Sequence, residues 1–124
     1  MPKILIKPGV EFNEIAPAGV RILEVLKQIQ LLFPKLPYDI VITSGTDGTH
    51  SGGPTNPHYQ GEAYDIRTNV LTLSQKTTLL NFVKEALGPR FFAFLENPGK
   101  PAEHIHIQRA RNTFYTMEDF LNSN

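Results

Sequence analysis

The 124-residue chain has no cysteine. That excludes disulfides and thiolate metal sites, so any metal it holds must take nitrogen and oxygen ligands. It leaves the compartment open, because a cysteine-free chain is indifferent to redox poise. Excess charge of one sign is also missing: 12 lysines and arginines balance 12 aspartates and glutamates. With no basic run either, the electrostatic footprint of a nucleic-acid binder is absent. No apolar window approaches the roughly 20 residues of a membrane span. The opening Met1-Pro-Lys-Ile-Leu-Ile-Lys7 meets charge too soon for a signal-peptide apolar stretch. These absences predict a monomer made in the cytoplasm without a signal peptide, with neither nucleic acid nor membrane as partner. An action outside that compartment would need something else to release the protein. Internal repeats and linkers are lacking too. A 40% hydrophobic chain of this length predicts one domain over residues 1–124, able to bury a core without staples.

Ile4-Leu5-Ile6 reads as a short strand or extended arm closed by Pro8-Gly9. Pro17 suits a first helical turn. From it Val20, Leu23, Leu26, Ile29 and Phe33 recur at helical spacing, with Arg21, Glu24, Lys27 and Gln28 between them, which predicts an amphipathic helix ending before Pro34. Residues 38–43 read as a strand, and residues 44–60 as a loop long enough to suggest function. Residues 62–67 form the next predicted strand, with Ala63, Asp65 and Arg67 on one face and Tyr64 and Ile66 on the other. Ser74 is the expected cap of a second helix that Gly88-Pro89 ends. Strands follow over 90–95 and 104–108. Thr116 and Asp119 resemble a capping box for a short last helix. The mixture lacks βαβ regularity, so the expected class is α+β with a small, mainly antiparallel sheet flanked by helices.

All four histidines, His50, His58, His104 and His106, lie in or beside two short segments. His104 and His106 alternate with Ile105 and Ile107, so both imidazoles project to one strand face. His58 enters from the loop, and Asp65 follows the small residues Gly61 and Ala63. Two imidazoles and a carboxylate make a three-ligand set that leaves a position for water. Zinc so held activates water near neutral pH, and a nearby base completes a hydrolytic site. Two histidines and a carboxylate also form the facial triad of non-haem iron oxygenases. There the first two ligands lie one residue apart on a strand, whereas here six residues separate His58 from Asp65.

The order H-x6-D followed by E-x-x-H, with Ser44-Gly45 after a strand and His50-Ser51 in the long loop, resembles the zinc D-alanyl-D-alanine peptidases and related phage endolysins. Those enzymes share a fold with the Hedgehog signalling domain, and His104-Ile-His106 of this chain also resembles a strand of that domain. The likeness covers about residues 43–108. It implies a Hedgehog/DD-peptidase-like fold, Zn2+ bound by His58, Asp65 and His106, and Glu103 as the general base, with Glu96 in the preceding loop as an alternative. It implies hydrolysis of peptidoglycan stem peptides, and release by a phage-type lysis route. Many members of that family carry an arginine after the Ser-Gly step, where this chain has Thr46-Asp47-Gly48. His104, His50 and Arg67 are the candidates to stabilise the developing oxyanion in its place. His50, Ser51 and Tyr59, with Arg67, are the expected substrate contacts. A non-catalytic zinc domain of Hedgehog type is the alternative.

Overall fold

The computed structural model describes residues 4–32, 39–48 and 56–123. In chain order the elements are β1 (Ile4–Ile6), α1 (Pro17–Leu32), β2 (Ile40–Ser44), β3 (Ala63–Arg67), α2 (Leu73–Leu87), β4 (Phe91–Glu96), β5 (His104–Arg109) and α3 (Met117–Leu121). The strands form one sheet in the order β1-β2-β3-β5-β4. β1 runs parallel to β2, and the other three pairings are antiparallel. The class is α+β with a mixed, mostly antiparallel sheet.

The pleat divides this sheet into an apolar core face and an opposite face that carries the polar side chains. Tyr64 and Ile66 of β3, Ile105 and Ile107 of β5, and Phe91 and Ala93 of β4 are buried together with Ala18, Ile22, Leu26 and Ile29 of α1 and Leu79 and Val83 of α2. Each fully buried large aliphatic side chain contributes about 1.5–3 kcal/mol, so the Ile66–Ile105 and Tyr64–Ile107 cross-strand pairs fix the register. A slip of one residue would turn the histidines into the core. On the opposite face, the same register sets Asp65 beside His106 and His106 beside Phe94, and sets Arg67 beside His104 and His104 beside Glu96. The row Arg67–His104–Glu96 is polar across all three strands, whereas the row Asp65–His106 ends on Phe94 in β4.

Several elements differ from their sequence reading in instructive ways. The buried stripe of α1 is Ala18, Ile22, Val25, Leu26 and Ile29, while Val20 and Leu23 are half-buried. Arg21, expected on the wet side, is 5% exposed, because its guanidinium donates to the carbonyl of Ala86 in α2 and pairs with Glu24. Phe33 lies outside the described residues. Thr72, not Ser74, caps α2: its hydroxyl accepts from Gln75 N and the Gln75 side chain accepts from Thr72 N. This reciprocal pair satisfies two otherwise unpaired donors. Gly88, at φ 79°, ends α2, and the capping box of Thr116 and Asp119 is present. Among the described residues no helix is long and apolar enough to cross a membrane.

Candidate metal centre

His58 leaves the loop on a turn built by Asn56, whose side-chain oxygen accepts from His58 N at 2.9 Å and whose carbonyl accepts from Tyr59 N at 3.0 Å. The turn presses closely on the chain before α1. Gly61 sits at φ 70°, and a Cβ there would collide with the Glu14 carbonyl. A Cβ on Gly45 would strike the Glu11 carbonyl. The small residues seen in the sequence thus admit a close backbone approach that carries the His58 ring, 2% exposed, to the sheet.

There it meets β3 and β5. His58 Nε2 is 3.3 Å from His106 Nδ1 and 3.3 Å from Asp65 Oδ1, and His106 Nδ1 is 2.9 Å from the same oxygen. Two ligand atoms ~2.1 Å from a tetrahedral ion stand ~3.4 Å apart, so these separations need little adjustment to surround one. The far nitrogens are committed. His58 Nδ1 donates to the Gly45 carbonyl at 3.0 Å, and His106 Nε2 donates to Gln108 Oε1 at 2.7 Å. Gln108 is oriented in turn, since its amide nitrogen donates to the Arg109 carbonyl at 3.0 Å. In their neutral forms both rings therefore aim a lone pair at Asp65, with outer partners that fix the tautomer. His58, Asp65 and His106 could together hold a metal ion through two nitrogens and one oxygen.

Charge agrees with geometry. Burial pushes the Asp65 carboxyl up, but hydrogen bonds with His106 and His58 outweigh it and hold that carboxyl well below the usual range. Burial opposes a charged His106, yet the Asp65 and Gln108 contacts prevail and raise its pKa. The cluster demands positive charge at its centre, which either a proton or a cation supplies.

Glu103 lines a cavity with Asp65 and His104, but its carboxylate is committed to other groups. It is 3% exposed, and its carboxylate accepts from Thr68 Oγ1 at 2.7 Å, Lys76 Nζ at 2.9 Å and Gly99 N at 2.8 Å. The Gly99 N–H, then the Lys76 ammonium, hold its pKa at about 2. So saturated a carboxylate takes up a proton poorly. Glu96, at the end of β4, stands at the cluster instead, with Oε1 2.9 Å from His104 Nε2 and 3.9 Å from His106 Nδ1.

The remaining predicted residues separate. His104 adjoins Asp65 Oδ2 at 3.5 Å. Arg67 lines a cavity of about 230 Å3 with Lys7, Thr43, Ser44, Asp65, Glu103 and His104. The Tyr59 hydroxyl is spent on the Gly48 carbonyl at 3.1 Å, and His50 and Ser51 lie outside the described residues. Sequence reasoning missed Gln108 as an orienting residue, although it shares the strand face of His104 and His106 two residues on. It also missed the aromatic wall of Phe92 and Phe94, whose rings stack at 5.8 Å with Phe94 5.2 Å from the His106 ring. Comparison of the chain with protein-family models, with curated proteins and with solved structures gives no match.

Proposed function

We propose that this chain is a zinc-dependent peptidase that hydrolyses short stem peptides of the bacterial cell wall. The observation that carries the reading is the convergence of His58, Asp65 and His106, with both imidazoles oriented from behind by Gly45 and Gln108. The resemblance of H-x6-D and E-x-x-H to the D-alanyl-D-alanine peptidases supplies the substrate class and, with it, the finer expectation of a Hedgehog/DD-peptidase-like fold.

His58, Asp65 and His106 would hold the zinc, which lowers the pKa of a water and polarises a carbonyl when bound. Glu96, half-exposed and braced by His104, takes the proton from the attacking water and passes it to the leaving amine. Among the described residues, Arg67 and Lys7 are the cations that line the neighbouring cavity, and the Glu103 carboxylate beside them is paired with Lys76. They attract an anionic group of the peptide or stabilise charge on the carbonyl oxygen. Phe92 and Phe94 offer an apolar wall for a side chain beside the scissile bond. A cut within the stem peptide, next to a D-amino acid, fits this open site at least as well as release of a terminal D-alanine.

One observation favours a second reading, a non-catalytic zinc domain: the glutamate that the motif designates as base is consumed by structural bonds. The deciding experiment incubates the zinc-loaded protein with stem peptides bearing free or amidated C-termini and identifies products by mass spectrometry. Cleavage of both supports the endopeptidase. Cleavage of the free-carboxylate peptide alone, at its last bond, makes it a carboxypeptidase. Intact peptides with zinc bound would hand the lead to the non-catalytic reading.

A further inference from the structure

A second set of donors adjoins the first and shares its carboxylate. We propose that Asp65, Glu96 and His104 form a second divalent-cation site, joined to the first through the two oxygens of Asp65. The proposal rests on His58, Asp65 and His106 holding an ion. Asp65 Oδ1 faces His58 and His106, while Oδ2 faces His104 Nε2 at 3.5 Å, and Glu96 Oε1 lies 2.9 Å from that same nitrogen. The two sets therefore use different oxygens of one residue, as a bridging carboxylate does.

The His104 ring is oriented as the other two are. Its Nδ1 donates to the Ala102 carbonyl at 2.8 Å, which puts the lone pair of the neutral ring on Nε2. That lone pair points at two carboxylate oxygens, a repulsive arrangement unless a cation stands among them. A proton on Nε2 serves one line, and the 3.5 Å leg is long for a hydrogen bond. A metal ion serves all three at once. The cross-strand pairing of Glu96 with His104 builds the site into the sheet. The side chains of His104 and Glu96 are 17% and 43% exposed, so an ion can enter with water still attached. Greater exposure makes this the weaker of the two sites.

Occupation has a consequence for the proposed reaction. Ligation of an ion draws charge from the Glu96 carboxylate and makes it a poorer base, so the one-ion form hydrolyses and the two-ion form is suppressed. Excess divalent metal then acts as a brake.

The test is calorimetric titration of the chelator-stripped, full-length protein with zinc chloride, backed by elemental analysis and circular dichroism. The parent should take up two equivalents, the second more weakly. Glu96→Gln and His104→Gln should each lose the weaker equivalent and keep the stronger, and Asp65→Asn should lose both. Should His104→Gln fail to fold, Glu96→Gln at the exposed strand end carries the comparison alone. One equivalent in the parent, or two retained in Glu96→Gln, overturns the second site while leaving the first. No uptake at all overturns both. Hydrolysis by the parent should fall at least tenfold between one and two equivalents, and an unchanged rate with two ions bound overturns the brake. The stoichiometry stands or falls even if no peptide is cut.

Discussion

Replacing Gln108 by leucine should weaken zinc binding without unfolding the protein. Gln108 is not itself a proposed ligand; its Oε1 holds His106 Nε2–H at 2.7 Å and so keeps the Nδ1 lone pair on the cluster. Leucine fills similar volume against Phe92 and Ala63, its partners across the sheet. It leaves the His106 N–H, on a ring 10% exposed, without an acceptor. An unsatisfied buried donor costs about 1–3 kcal/mol, which corresponds to a loss of roughly 5- to 150-fold in affinity. Outer-shell substitutions at metal-bound histidines typically cost about 10- to 100-fold, so two independent routes agree. Gln108→Glu, which keeps an acceptor and adds charge, should bind at least as tightly as the parent. The assay is competition with a chromophoric chelator at pH 7.5, with circular dichroism as the control for folding. A Gln108→Leu variant within twofold of the parent would show that the ring is not oriented by this bond, and the supporting-shell argument would fail.

Three further outcomes are expected. Zinc affinity should decline as pH falls through a value above the ordinary histidine pKa of about 6.5, because the His106 pKa is raised and the metal must displace that proton; a pH-independent Kd between 8 and 6 would contradict this. Because the Glu103 pKa is depressed to about 2, its contribution to stability is complete above the ordinary carboxylate range and is lost as pH falls toward 2. Lys76→Met, which strips the cation from this buried pair, should cost up to about 3 kcal/mol in denaturant melts and shift acid unfolding to higher pH, and an unchanged acid midpoint would refute the assignment. Gly61→Ala, strained by its positive φ and by the Glu14 carbonyl, should destabilise by at least about 1 kcal/mol and loosen zinc by displacing His58, whereas wild-type melting and affinity would show that the close approach is unimportant.

Much of the sheet was legible because it repeats with period two. His104 and His106 against Ile105 and Ile107 announced both the strand and its polar face, and Ala63-Tyr-Asp-Ile-Arg67 did the same for its neighbour. The helix ends were partly legible. Thr72 was distinguishable from Ser74 by Gln75 three residues on, which completes a reciprocal cap. Arg21 was not, since its acceptor, Ala86, lies 65 residues away. The same limit governs Glu103. Local order set it in the motif, but Thr68, Lys76 and Gly99 decide its state, and two of these come from α2 and the turn before it. The three proposed zinc ligands were readable as residue types at a spacing. The Gly45 carbonyl that orients His58 was not, because a backbone acceptor has no signature in the sequence.

The most direct test of the central claim is anomalous diffraction at the zinc edge from crystals of protein purified without added metal. The account predicts a strong peak ~2.1 Å from each of His58 Nε2, Asp65 Oδ1 and His106 Nδ1. A zinc-free cluster in crystals soaked with zinc, with His106 and Asp65 still in direct contact, would contradict it.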